Sequence, residues 1–251
     1  MNSRRFIAAL SVLVIIVVLA NTAQLNRLAS ATPQELKVMS RTRGNEVLTA
    51  GVVNNQVRIK LKNNHKETIT AFAIRFDDTT IREDFAYSEV HLGIEPGDTF
   101  QKDYAISPSP ISPDPPPLYL LTVILKNGAT DGDFKVAQEI KDVRLGDKIQ
   151  ILRTLRILER EAQSGKDLKT IKSDIVAALD RSEFETRIIL NELQPGWRSD
   201  SKLSDDLRNG LKWGRQTILR RFEVIEQLPT EDREQAFMQF KDRTHKQFAK
   251  L

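Results

Sequence analysis

At Asp133 the apolar residues stop recurring at every second position and begin recurring at every third or fourth, a switch that limits what this chain can become. Before it, Val57, Ile59 and Leu61 alternate with Arg58, Lys60 and Lys62, the mark of a strand buried on one face. After it, Val136, Ile140, Val143, Ile151, Leu155, Leu158 and Ala162 share one helix face, with Asp133 placed as the N-cap. Strands followed by helices predict an α+β protein, with a β-sandwich over residues 45–133 and a helical region over 134–251.

Within the first region, Glu46 to Val52, Gln56 to Lys62 and Thr68 to Phe76 read as strands, with Asn63-Asn64 suited to a turn. The third of these is rich in β-branched and aromatic residues and is expected to be buried on one face or both. Thr79 to Glu83, Tyr87 to Leu92 and Thr99 to Ile106 follow, and Glu95-Pro96-Gly97-Asp98 is a turn. Ser107 to Pro117 holds six prolines and reads as a stiff crossover between two sheets. Leu118 to Leu125 is the most apolar run and is expected to be central. Asn127-Gly128 then signals a hairpin, leaving Ala129 and Thr130 for a short edge strand. About seven strands in this span suggest an immunoglobulin-like antiparallel sandwich, without the Cys…Trp…Cys core of antibody domains.

The succession Val57 to Lys62, Ile69 to Ile74, Glu95-Pro96-Gly97 and Val123 to Gly128 resembles the immunoglobulin-like sandwich modules of uncharacterised exported bacterial proteins. That resemblance implies a fold and export. It brings no catalytic residue with it.

Over 134–251 the pattern predicts about four helices. The first has a possible break at Gly146-Asp147 and ends at Ser164-Gly165. Leu168, Ile171, Ile175 and Leu179 open a second, and Ser182 with Glu185 forms a capping box for a restart to Leu193. Pro195-Gly196 stops it. A third carries Leu203, Leu207, Leu211, Ile218, Phe222 and Ile225, and Thr230 is expected to cap a fourth. Phe237, Phe240, Phe248 and Leu251 make a stripe on that last helix, read as core packing or as a groove for a partner. The helical region is thus the expected surface for a protein partner or for self-association.

The N-terminus decides the expected compartment. Arg4 and Arg5 precede an apolar run from Phe6 to Ala20, so residues 1–23 read as a signal peptide or a membrane anchor. By the positive-inside rule the remainder lies outside the cytoplasm. Residues 24–44 read as a linker. With no cysteine in the chain, disulfides, thiolate metal sites and a cysteine nucleophile are excluded.

No motif assigns catalytic, cofactor-binding or metal-binding residues. His65, His91 and His245 stand at no ligand spacing. Asp77, Asp78, Glu83 and Asp84 could meet Asp131 and Asp133 as a calcium cluster, but turn and capping chemistry explains them as well. Ser199 and Lys202 match a Ser-x-x-Lys pattern with no accompanying Lys-Thr-Gly. Basic and acidic residues interleave, against nucleic-acid binding. The expectation is a non-enzymatic cell-envelope scaffold. The alternative is an envelope hydrolase using dispersed carboxylates.

Overall fold

Strands come first and helices after them, as the change of period predicts. The computed structural model describes residues 34–53, 56–88, 91–106, 115–161, 167–195 and 202–251. Among these, nine strands are β1 (Gln34–Glu35), β2 (Val38–Ser40), β3 (Asn45–Val53), β4 (Gln56–Asn63), β5 (Ile69–Phe76), β6 (Thr79–Asp84), β7 (Thr99–Ala105), β8 (Leu118–Leu125) and β9 (Thr130–Gly132). One sheet runs β1-β3-β4-β7, antiparallel throughout. The other runs β2-β8-β5-β6, with β2 parallel to the start of β8 and β9 antiparallel to its end. The helices are α1 (Phe134–Glu161), α2 (Leu168–Leu179), α3 (Glu183–Leu193), α4 (Asp205–Gln227) and α5 (Thr230–Lys250).

The alternating residues of β4 turn Val57, Ile59 and Leu61 inward against Phe72, Ile74, Leu118 and Leu120 of the facing sheet. The second sheet is covered on its outer face too. Ala71, Ala73, Leu121 and Ile124 pack there against Ala137 and Ile140 of α1. Both β5 and β8 are therefore buried on two sides, which explains their nearly continuous apolar runs. Alanine at positions 71 and 73 leaves room for the helix.

Three turns expected from the sequence take definite forms. Around Glu95-Pro96-Gly97-Asp98 the Asp98 N–H reaches the Glu95 carbonyl at 3.0 Å, and Gly97 has φ +84°. The Asn127-Gly128 hairpin joins β8 to β9, but only Gly128 takes positive φ, +83°, so the turn is closed by one left-handed residue rather than two. The Asn63-Asn64 turn crosses from one sheet to the other. Fully buried Asn63 anchors it, its amide donating to the carbonyls of Glu67 (2.9 Å) and Ile94 (2.7 Å) while its Oδ1 accepts the His65 N–H.

Five expectations are corrected. The described part of the 24–44 stretch supplies β1 and β2, strands too short to leave an alternating signature. Tyr87 to Leu92 is no strand among its described residues. Phe85–Tyr87 forms a 3-10 turn instead, capped by the Asp84 carboxylate on the Ala86 N–H. Helix α1 runs through Gly146-Asp147 unbroken, because Gly146 is where α4 crosses. A Cβ there would lie 2.3 Å from the Leu207 carbonyl oxygen, and one on Gly210 would lie 2.1 Å from that of Val143. Thr230 is the first residue of α5 and makes no side-chain cap; Pro229 stands at the cap position. Five helices fill the helical region rather than four, since the Ser182–Glu185 capping box starts a separate helix.

The Pro-rich stretch does link the two sheets, β7 lying in one and β8 in the other, though residues 107–114 are outside those described. The apolar run 6–20 is also outside them; among the described residues no helix is long and apolar enough to cross a membrane.

Candidate functional site

Helix α1 serves both regions. Its first half lies on the sandwich, tied at one edge by Arg82 to Glu139 and at the other by Lys141 to the Thr130 hydroxyl. Its second half is the axis of the helical region. Lys141, Arg144, Leu145 and Lys148, spaced to share one helix face, look along the end of the sandwich and form one wall of a cleft of about 690 Å³. Thr68, Thr70 and Phe85 of the sandwich, Lys126 and Gly128 of the β8–β9 turn, and Leu193, Lys250 and Leu251 from the ends of α3 and α5 line the rest of it.

The charge of this lining is one-sided. Arg144 is neutralised, its Nε and a terminal nitrogen donating to the two Asp84 oxygens at 2.8 and 2.7 Å while it also holds the Thr70 carbonyl at 2.8 Å. Four lysines have no carboxylate partner among the described residues. Lys141 donates to the Gly128 carbonyl (2.8 Å) and Lys250 to that of Ser88 (3.0 Å). The Lys148 ammonium sits 5.0 Å above the Phe248 ring, and burial holds its pKa below the usual lysine range. Lys126 is exposed. Glu95 is the one acidic side chain in the described lining, and it accepts the Thr68 hydroxyl at 2.7 Å. Apolar Phe85, Leu125 and Leu145 lie between these polar groups.

Behind the cleft, inside the helical packing, lies Asp147. It is 3% exposed, accepts a hydrogen bond from the Gln247 amide at 3.1 Å, and has its Oδ1 2.5 Å from where a Cβ on Gly214 would stand. Burial pushes its pKa up to about 7, against the opposing pull of Arg221 and Gln247. A carboxyl that titrates near neutrality is a natural acid–base candidate. Asp147 is not among the cleft's lining residues, however, and its oxygens are engaged between helices.

The carboxylates that might have gathered around calcium are dispersed into structural roles. Asp84 binds Arg144, and Glu83 accepts from Lys102 and the Tyr104 hydroxyl. Asp131 receives the N–H groups of Arg43 and Gly44 and contacts His65, while Asp133 caps α1 and holds Arg41. Asp77 takes φ +52° in the β5–β6 turn. Among the described residues no group of three or more His, Asp or Glu side chains could hold a metal ion. His91 packs edge-on to Phe100, and Asp242 is paired with Lys246 rather than His245. Ser199 is outside the described residues. The aromatic stripe of α5 turns inward: Phe240 meets Phe222 at 4.8 Å between ring centres, and Phe237, Phe248 and Leu251 pack onto the same core.

Sequence reasoning missed the cleft because its lysines come from a hairpin turn, one helix face and a distant helix end. The only signal was local: Lys141, Arg144 and Lys148 fall on one face of α1. Comparison with protein-family models, curated proteins and solved structures finds no match to this chain.

Proposed function

We propose that this is a non-enzymatic cell-envelope protein, exported or held at the membrane by its N-terminal segment. In this reading it acts as an interaction scaffold whose cleft receives an acidic, partly apolar segment of a protein partner. The observation that carries the reading is the lysine-rich cleft, which has one acidic side chain and several apolar side chains in its described lining. Lys141 and Lys148 are two helical turns apart, about 10 Å along α1. Cations so spread suit several carboxylates along an extended segment better than a single anionic group. A volume of about 690 Å³ is enough to take side chains of such a segment.

The immunoglobulin-like part of the reading rests on strand order. Sheet β3-β4-β7 faces sheet β9-β8-β5-β6, with the chain crossing between them after β4, β6 and β7. Envelope location rests on Arg4, Arg5 and the apolar run to Ala20. An envelope hydrolase acting through dispersed carboxylates is the second reading, and Asp147 is the group that favours it.

The test places a photo-crosslinking residue at Leu92, a cleft position that is 65% exposed, in cells expressing the full chain. The scaffold reading expects one specific protein adduct, suppressed when the exposed Lys126 and Lys250 are both changed to Glu. An adduct with a second copy of the chain would make the contact self-association. No adduct, or one indifferent to the charge reversal, removes the cleft from the function.

A further inference from the structure

Arg153, on α1, is a buried cation with no anion bonded to it among the described residues. It is 3% exposed. Its terminal nitrogens donate to the Gln150 side-chain oxygen at 3.1 Å and to the Thr186 hydroxyl at 2.7 Å, both neutral acceptors. Its Nε is buried with no hydrogen-bond partner among the described residues. Glu185 acts on it only at a distance, its carboxylate being held by Ser182 in the capping box of α3. Burial, with Arg181 nearby, holds the Arg153 pKa below the usual arginine range. Removing a guanidinium from water without a counter-charge is costly, and an orphaned donor adds to that cost.

Arg153 lines a small pocket of about 80 Å³ between α1, α2 and α3. Arg156 and Arg160 line it from the same face of α1, and Arg181 reaches it from the connection between α2 and α3. Ile157, Ala178 and Ile189 complete the wall. Arg156 and Arg181 are tied to Glu192 and Glu185 only in half-exposed pairs, which are weak; Arg160 binds Glu161 and approaches Asp174. Four guanidinium groups thus converge on one space, and no carboxylate side chain lines it among the described residues.

We propose that this pocket binds a phosphate group, either inorganic phosphate or the terminal phosphate of a small monoester. A space of about 80 Å³ is large enough to take an ion of a few heavy atoms. Guanidinium forks pair bidentately with phosphate oxygens. A phosphate brings roughly −1.5 to −2 charges at neutral pH, enough to answer more than one arginine, whereas a carboxylate brings only one. Anything esterified to the phosphate projects past the half-exposed Arg156 and Arg181 into solvent. The site is separate from the lysine cleft and independent of what binds there.

The experiment is calorimetric titration of the full chain with inorganic phosphate at fixed ionic strength, repeated with acetate, glycerol 3-phosphate and phosphoserine. The expected result is one site that prefers phosphate to acetate by at least about tenfold. Arg153→Met abolishes it and Arg181→Gln weakens it by about tenfold or more. In phosphate-free buffer Arg153→Met melts at or above the wild-type temperature, because the uncompensated charge is gone. Monoesters binding as well as the free ion identify an esterified ligand, and binding of inorganic phosphate alone identifies the free ion. Acetate binding as tightly as phosphate overturns the proposal, and so does a wild type that gives no heat with millimolar phosphate. If Arg153→Met fails to fold, Arg181→Gln decides alone: unchanged affinity for phosphate sinks the site.

Discussion

The sandwich and the helical region handle buried polarity in opposite ways. Between the sheets the interior is apolar, and the polar groups buried in the sandwich are neutral: Asn63 is satisfied by backbone groups, and the Thr122 hydroxyl by the Asp131 carbonyl. Its ion pairs lie at the rim, as with Arg58 and Asp103. The helical region instead encloses Asp147, Arg153 and Glu161, each under 5% exposed. Neutral polar groups bonded to backbone cost little to bury, whereas ionised ones oppose folding unless compensated. The difference teaches that the sandwich is built for stability, and that the helical region gives up some stability to keep charge inside. Such groups are where ligand binding and pH dependence are to be sought.

The largest expected effect tests the sandwich side. Phe72 is fully buried and meets Phe85 and Phe100 at 6.1 and 5.7 Å. Phe72→Ala should cost about 3–5 kcal/mol in urea unfolding, and a loss under about 1 kcal/mol would mean this core is not tightly packed. Next comes the crossing of α1 and α4. Gly210→Ala puts a methyl against the Val143 carbonyl and should cost about 1–3 kcal/mol, seen as an earlier melt of the helical signal. An unchanged melt would deny the close approach.

A third effect goes the other way and bears directly on buried charge. The Asp147 carboxyl titrates near pH 7 in the fold and near its ordinary 3.8 when unfolded. Between those values the folded chain holds a proton that the unfolded chain has released, so stability falls as pH rises through that window and levels off above it. Asp147→Asn should flatten that slope and add at least about 1 kcal/mol at pH 8, with little gain at pH 4. Equal gains at both pH values would show that Asp147 carries no charge penalty. The smallest effect is at a helix end: Ser182→Ala removes one side of the α3 capping box and should cost about 0.5–1 kcal/mol in thermal unfolding.

How far the sequence could be read follows the same division. Strands β4, β5 and β8 announced themselves because one or both faces are buried along their length, and the junction at Asp133-Phe134 was marked by a capping residue beside a change of period. β1 and β2 left no such trace, and the expected strand at Tyr87 gave way to a turn held by the Asp84 carboxylate. Gly146 looked like a helix breaker only because the glycines at 210 and 214, which it and its neighbour Asp147 meet across space, lie far along the chain. The functional surfaces were illegible for a similar reason. Arg153, Arg156 and Arg160 share a face by simple counting, yet an arginine face ordinarily points to water. Here Arg156 and Arg160 do stay exposed, and only Arg153 is buried, in a pocket that Ala178 and Ile189 of two later helices help to line.

One pairing has a bearing on self-association. The long edge of β8 is covered end to end by two strands, Val38–Ser40 on its first half and Thr130–Gly132 on its second. An uncovered edge on so apolar a strand would be a template for another molecule. β9 reaches its half through a tight turn as soon as it is made, but β2 must come back across nearly the whole sandwich to seal the other, a non-local closure that is slow to form. The three residues of β2 thus matter less for the free energy of the finished fold than for keeping newly made chains from adding to one another along β8.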